Sequence, residues 1–438
     1  MAIVKTILVQ GPSEQLRLVQ SPECQLQIDI DVNPETALEG IRDHFRSRWD
    51  AEVHALRWLF REDIWPPAED QNPFLVLWVG DLGALPAIDT VCPHTVSVLS
   101  GRKNQLSDSI FRFVALAVRS GDCAPWQRPD WLPRMTEWIR THFPEPRHVA
   151  QVRTSPNCAV LRIRSGNATY FLKSQPGALA YESALLAILN RHAPGSCPRI
   201  IPITPDSNTH ITEEIAGLAL NQVQDAQAWH VALRNVAKLQ IECLDFLDEL
   251  IGAGVPYECI AQVAANVEDV FDDCVIQQNG VQNQLRREEI CRLFEILPEV
   301  ARDFEALGRC GLPETLVHDD LNQSNVFHTA RGETVLIDWA LSRITHPFFI
   351  LASALFVSGN DLQSMSGVRE DLCAAYLEPW CDFKRCDRLR AALDAASRLF
   401  WIDATMALRL LCQDKHVDNR SHLPKFLRAT LGAYRLRG

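Results

Sequence analysis

At roughly 100–200 residues per domain, a chain of 438 residues holds two to four domains and a large buried core. Hydrophobic residues make up 47% and charged residues 22%, with 25 Pro and 20 Gly, which excludes fibrous and extensively disordered folds. The 43 basic residues against 55 acidic ones leave a net charge of −12, so nucleic acid is a poor partner and cationic ligands gain from the overall field.

The longest apolar run, Phe348 to Val357, is about half of the ~18 residues that a bilayer span needs. The start, MAIVKTILVQ, lacks the basic and apolar regions of a signal peptide. The expectation is a cytoplasmic protein with no membrane partner. Fourteen cysteines are spread from Cys24 to Cys412 without a C-x-x-C pair, as expected of buried thiols in a reducing compartment. The nearest pair, Cys381 and Cys386, has no second pair to complete a zinc site.

In chain order, Ile3–Val9 and Gln25–Asp31 read as strands, and Pro34–Trp49 has helical spacing through Ala37, Ile41, Phe45 and Trp49. Val53–Phe60 and Phe74–Val79 are strand-like again, giving ββαββ. Trp126, Trp131 and several prolines form a connector that leads into an amphipathic helix through Met135, Trp138, Ile139 and His142. A boundary is expected near Pro144. Gln151–Arg153, Ala159–Arg164 and Thr169–Lys173 then predict three short antiparallel strands, joined by turns at Ser155-Pro156-Asn157 and Ser165-Gly166-Asn167. A helix over Ala180–His192 carries Leu185, Ile188 and Leu189 on one face, and Ile200–Ile203 and His210–Thr212 read as strands. From Ala226 the pattern is helical, with Pro298 restarting a helix. A strand-rich island interrupts it at Thr315–Val317, Val326–His328 and Thr334–Ile337.

That island carries the chemistry. It reads V-H-D-D-L-N-Q-S-N-V-F from Val317, then V-L-I-D-W from Val335. Asp320 and Asn325 share one loop, and Asp338 follows at the end of an apolar strand. Phosphoryl transfer needs such parts: a carboxylate to orient or deprotonate a hydroxyl, and two oxygen ligands that hold Mg²⁺ against nucleotide phosphates. Lys173 ends a strand and Glu182 lies on the next helix, a pairing suited to the α/β-phosphates.

This set resembles the aminoglycoside phosphotransferase and choline kinase family, over about Arg147 to Ala407. Its H-x-D-x-x-x-x-N loop is matched by His318, Asp320 and Asn325, its metal-binding Asp by Asp338, and its strand–helix pair by Lys173 and Glu182. The resemblance implies an α+β, two-lobed protein-kinase-like fold: residues 1–144 as an appended α/β domain, 145–215 as a small antiparallel lobe, and 216–438 as a helical lobe with the catalytic loop. It implies ATP or GTP with Mg²⁺ as cofactors, Asp320 acting on the acceptor hydroxyl, and His318 bracing the loop. Ser155 and Asn157 would lie over the phosphates, and backbone groups of Glu213 and Ile215 would meet the adenine. The sequence departs from the family at Asp319, commonly Gly, and at Asn322, often His, which adds a negative charge beside Asp320.

Glu268, Asp269, Asp272 and Asp273 make one acidic helix face in the region that lines the family's acceptor pocket, so Asp269 and Asp273 are candidate contacts for a cationic, hydroxylated small molecule. Asp403 beside Trp401 is another, because an aromatic and a carboxylate together suit an ammonium or guanidinium. A nucleotide-binding pseudokinase and a protein kinase are the alternatives; the second lacks D-F-G and A-P-E segments. The N-terminal ββαββ order faintly resembles a degenerate Nudix domain. Arg42, Asp43, His44, Phe45, Arg46 and Ser47 stand where R-E-x-x-E-E is required, which implies a scaffold without hydrolytic activity.

Overall fold

The computed structural model describes residues 2–10, 17–18, 26–30, 34–49, 53–59, 74–79, 124–143, 145–155, 157–223, 226–279, 281, 283–356, 368–412 and 420–435. Gln25, Asp31, Phe60, Pro144, Pro156 and Val357, named above, lie outside them. The chain divides into two compact units, chiefly Met1–Pro176 with Ile201–Glu213, and Gly177–Ile200 with Glu214–Asp414 and Asp418–Gly438.

The first unit contains two sheets. In one, Ala2–Gln10 runs parallel to Phe74–Val79 and antiparallel to Leu26–Ile30, and Val53–Leu59 forms the outer strand beside Phe74–Val79. The helix Pro34–Trp49 has the bounds its 3.6-residue spacing predicts, and it buries Leu38, Ile41 and Phe45. The other sheet is antiparallel: Pro146–Thr154, Ala159–Ser165, Ala168–Ser174 and Thr209–Glu213 lie side by side in that order. Alternation along Ala159–Ser165 puts Leu161 and Ile163 on the buried face. The connector helix Trp131–His142 covers that face with Trp131, Met135 and Ile139, joined by Trp126 and Phe143.

Polar contacts fasten the N-terminal helix and strand to this second sheet. Glu39 accepts a hydrogen bond from Arg162 at 2.6 Å and lies 3.6 Å from His148, while Arg42 donates to the Val149 carbonyl at 3.1 Å. The Gln151 carboxamide meets one residue twice, accepting from Ala55 N–H at 3.1 Å and donating to the Ala55 carbonyl at 2.8 Å. The helix Pro34–Trp49 therefore uses Glu39 and Arg42 for attachment.

The second unit is mainly helical. Its core joins the helix Tyr181–His192 to the helices Ala226–Glu242, Ile260–Gln277, Leu297–Cys310 and Cys386–Cys412. Pro298 occupies the first turn of Leu297–Cys310, where a missing N–H costs nothing, and so restarts the helix after Arg287–Glu295. Among the described residues, no helix is long and apolar enough to cross a membrane. Two small sheets interrupt the helices. Thr315–Val317 pairs with Arg343–Thr345, and Val326–Thr329 lies between Thr334–Leu336 and Gly217–Ala219. A Cβ at Gly217 would meet the His328 carbonyl oxygen at 2.7 Å, which is why glycine starts that strand.

Candidate active site

The loop from His318 to Asn325 leaves one small sheet and enters the other, so both of its ends are fixed by strand pairing. Leu321, fully buried, pins its middle. His318 Nε2 lies 2.8 Å from the Ile337 carbonyl oxygen, and its ring meets Trp339 edge-on at 4.7 Å. Ile337 N–H in turn donates to the Asn325 carbonyl at 3.0 Å. These bonds tie the strand end carrying Asp338 to both ends of the loop. His318 therefore acts as a brace at this position.

Asp320 is held by neutral donors. The Asn322 side-chain amide reaches Oδ1 at 3.0 Å, and Asn325 Nδ2 reaches Oδ2 at 3.0 Å and the Asp320 carbonyl at 2.9 Å. Asn322 thus replaces the family's frequent His with a residue that orients the carboxylate. Burial pushes the Asp320 carboxyl above its ordinary range, and the negative charge of Asp338 pushes it further. Asp338 adopts left-handed backbone, φ 63° and ψ 58°, a conformation that costs an L-residue roughly 1–2 kcal/mol and is concentrated at functional sites.

The donor set fits Mg²⁺. Asn325, buried, commits its amide nitrogen to Asp320, so its oxygen is the atom left to face a cation. Asp338 supplies a carboxylate, and the mutual repulsion of Asp320 and Asp338 is relieved by a nearby positive charge. Among the described residues, no group of three or more His, Cys, Asp or Glu is arranged to hold a metal ion. A set of two protein oxygens would suit an ion that dehydrates reluctantly.

Asp319 and Asp403 belong to a different arrangement. Arg343, fully buried, donates to Asp319 through Nε, to Glu258 through Nη1, and to Asp403 through Nη2 at 2.8 Å. Burial works against the guanidinium's charge, but the three carboxylates outweigh it and hold its pKa well above the usual value. Asp319 is thus not the uncompensated charge that the sequence suggested. Asp403 is likewise spent inside the protein, and Trp401 packs on Phe400 and Phe426 at 5.0 and 5.5 Å, so the expected cation site at Asp403 and Trp401 is not formed. Residues two apart on a helix do not share a face. The sequence signal for this cluster is Arg343 itself, a lone basic residue in the apolar stretch before Phe348, where burial demands partners.

The other candidates are placed as follows. Lys173, half-buried, lies on Ala168–Ser174 opposite Val160 and His210, in the first unit. Glu182, almost fully buried, lies in the first turn of Tyr181–His192, in the second unit, where the helix dipole favours a carboxylate. The preceding residue, Tyr181, donates its hydroxyl to the Ala340 and Ser342 carbonyls at 2.5 and 3.0 Å, fixing that helix to the segment after Asp338. Ser155 Oγ accepts from Asn157 N–H at 3.2 Å and Cys158 N–H at 3.1 Å, closing the polar turn, and Trp126 Nε1 donates to the Ser155 carbonyl at 2.7 Å. Glu213 ends the strand Thr209–Glu213 opposite Tyr170, and the Ile215 carbonyl accepts from Gly217 N–H at 2.9 Å. Asp269 is exposed and Asp273 half-buried on Ile260–Gln277.

The family model of phosphotransferase enzymes, APH, matches residues 155–391, more than half of the chain. The chain belongs to that family. No curated protein sequence matches it. An ethanolamine kinase from Plasmodium vivax is similar in structure, with 13% identity, a TM-score of 0.50, and 78% of this chain and 96% of that one covered. A choline kinase from Cryptosporidium parvum gives 14%, 0.48, 69% and 94%. A macrolide 2′-phosphotransferase from Brachybacterium faecium gives 14%, 0.46, 68% and 98%. The fold is accordingly α+β of the two-lobed, protein-kinase-like class, and the chain is a phosphotransferase.

Proposed function

We propose that this phosphotransferase moves the γ-phosphoryl group of ATP or GTP to a hydroxyl of a small metabolite bearing an ammonium or guanidinium group. The observation that carries this reading is the Asp320 carboxylate, gripped by Asn322 and Asn325 and raised in pKa by burial and by Asp338. A carboxylate so oriented accepts a hydrogen bond from the acceptor hydroxyl, aligns its oxygen and takes its proton as the bond to phosphorus forms. Asn325 and Asp338 would hold Mg²⁺, which would supply positive charge against the nucleotide phosphates. Lys173 takes the α/β-phosphates, the Ser155–Asn157 turn covers them, and backbone groups of Glu213 and Ile215 receive the adenine. Glu182 supports the phosphate side. With Asp403 committed to Arg343, Asp269 and Asp273 remain the acidic groups proposed for the acceptor's cation.

The N-terminal segment is proposed as a non-hydrolytic scaffold, since Glu39 and Arg42 are used to bind the second sheet. Residues 1–144, the catalytic lobes 145–215 and 216–438, and their separate roles follow the same proposal.

Nucleotide consumption should be screened with amino sugars, choline-like amines, guanidino compounds and amino alcohols, each with its deaminated counterpart. An acceptor whose KM rises with salt, and whose deaminated form reacts poorly, supports the cationic reading. Asp269→Asn with Asp273→Asn should then raise KM and spare kcat, the mark of lost uniform binding. A neutral or anionic acceptor with unaltered KM in that double variant refutes it.

A further inference from the structure

Eleven cysteines fall among the described residues, and five of them, Cys158, Cys197, Cys243, Cys274 and Cys310, are buried. Cys381 and Cys386 are different. Cys381 lies in the helical turn Glu378–Asp382, Cys386 opens the helix Cys386–Cys412, and their sulfurs lie 2.6 Å apart. Cys386 is exposed and Cys381 half-buried, with its thiol directed at the Leu377 carbonyl at 3.5 Å. Lys384 and Arg385 stand between them in the chain. Contact between two thiols and access from solvent are the conditions for their oxidation to a disulfide.

We infer that Cys381 and Cys386 form a reversible disulfide, with hydrogen peroxide as the oxidant. The exposed Cys386 thiolate attacks the peroxide; its sulfur takes up one oxygen as a sulfenic acid, and the other leaves as hydroxide. The Cys381 sulfur then attacks that of Cys386, the S–S bond forms, the S–O bond breaks, and the hydroxyl departs as water with the Cys381 proton. Two thiols have lost two electrons, and the peroxide has become two waters. A small dithiol reverses the reaction through a mixed disulfide. In a reducing compartment such a bond is a transient modification, not a permanent staple.

The bond would close a ring over residues 381–386 at the start of a helix whose later turns hold two ion pairs. Arg398 grips Asp303 through two bonds of 2.8 and 2.7 Å, and Asp403 meets Arg343. Oxidation therefore fastens the first turn of the helix that carries both.

The test uses the full chain treated with hydrogen peroxide and digested with trypsin without reduction. Cleavage after Lys384 and Arg385 separates the two cysteines, so their peptides stay joined only through the disulfide. The expected result is a joined pair lighter by two hydrogens than the sum of its reduced parts, released by dithiothreitol. Cys381→Ser should abolish the joined pair and leave Cys386 as a sulfenic or higher acid, as the exposed, solitary Cys291 should be in both proteins. Peptides that remain separate in the wild-type chain, with Cys386 oxidised alone, overturn the inference. So does a joined pair that persists in Cys381→Ser, since Cys373 lies on the same tryptic peptide.

Discussion

Asp319 sends its carboxylate to a buried guanidinium that Glu258 and Asp403 also share, whereas Asp320, the next residue, is held by two carboxamides and repelled by Asp338. Burial raises the pKa of both carboxyls. The difference lies in what answers the charge. Around Arg343 the protein supplies a permanent cation, so the carboxylates serve architecture. Around Asp320 it supplies neutral donors, which orient a carboxylate without adding a compensating charge.

The comparison breaks most visibly at Asp320 itself. Asp320→Asn should lower kcat by about 10²- to 10⁴-fold, the usual worth of a positioned general base, with nucleotide affinity nearly intact; retention of a tenth of the activity removes the assignment. On the other side, Arg343→Met strands three carboxylates in the interior and should cost about 3–5 kcal/mol, read from urea unfolding. A loss under about 1 kcal/mol would mean that the cluster is no stronger than a surface pair.

Magnesium-dependent nucleotide binding separates the two regions directly. Asp338→Ala should weaken it roughly tenfold or more, while Asp319→Asn should leave it unchanged in a calorimetric titration. The pH dependence sharpens this further. Asp320 must be ionised to act, and its carboxyl is raised, so activity is lost as pH falls through a value above the ordinary 3.8. Saturating Mg²⁺ beside Asp338 should move that acidic limb of kcat/KM downward; an unmoved limb separates Asp320 from the metal site.

The smallest effect belongs to an ion pair at the surface. Arg428 binds both carboxylate oxygens of Glu289, at 2.8 and 3.0 Å, and holds its pKa down to about 2. A depressed carboxyl contributes stability above its unfolded value near 4.5, and that contribution is lost as pH falls from there toward about 2. Glu289→Gln should flatten this part of the acid unfolding curve and cost no more than about 1 kcal/mol at neutral pH.

Regular elements were legible in the sequence where one periodicity ran unbroken. Pro34–Trp49 and Thr315–Val317 have the expected bounds, and His318, Asp320, Asn325 and Asp338 are joined by the loop and strand that their spacing predicts. Gly217–Ala219 was missed because three residues carry no period, and its strand character comes from Val326–Thr329, over a hundred residues away. The Arg343 cluster was missed for the same physical reason. Glu258, Asp319 and Asp403 are 85, 24 and 60 residues from Arg343, and only tertiary packing shows that a carboxylate beside a tryptophan in sequence is already paired.

The grip of Gln151 on Ala55 bears on how the edge of this sheet is covered. Among the described residues Val53–Leu59 is the outermost strand of its sheet, and the outward peptide groups of such a strand invite a strand from another molecule. Gln151 takes up both the N–H and the carbonyl of Ala55. One side-chain amide thus occupies the register where intermolecular pairing would begin, so Gln151→Ala should favour edge-to-edge association at high concentration even where the fold survives.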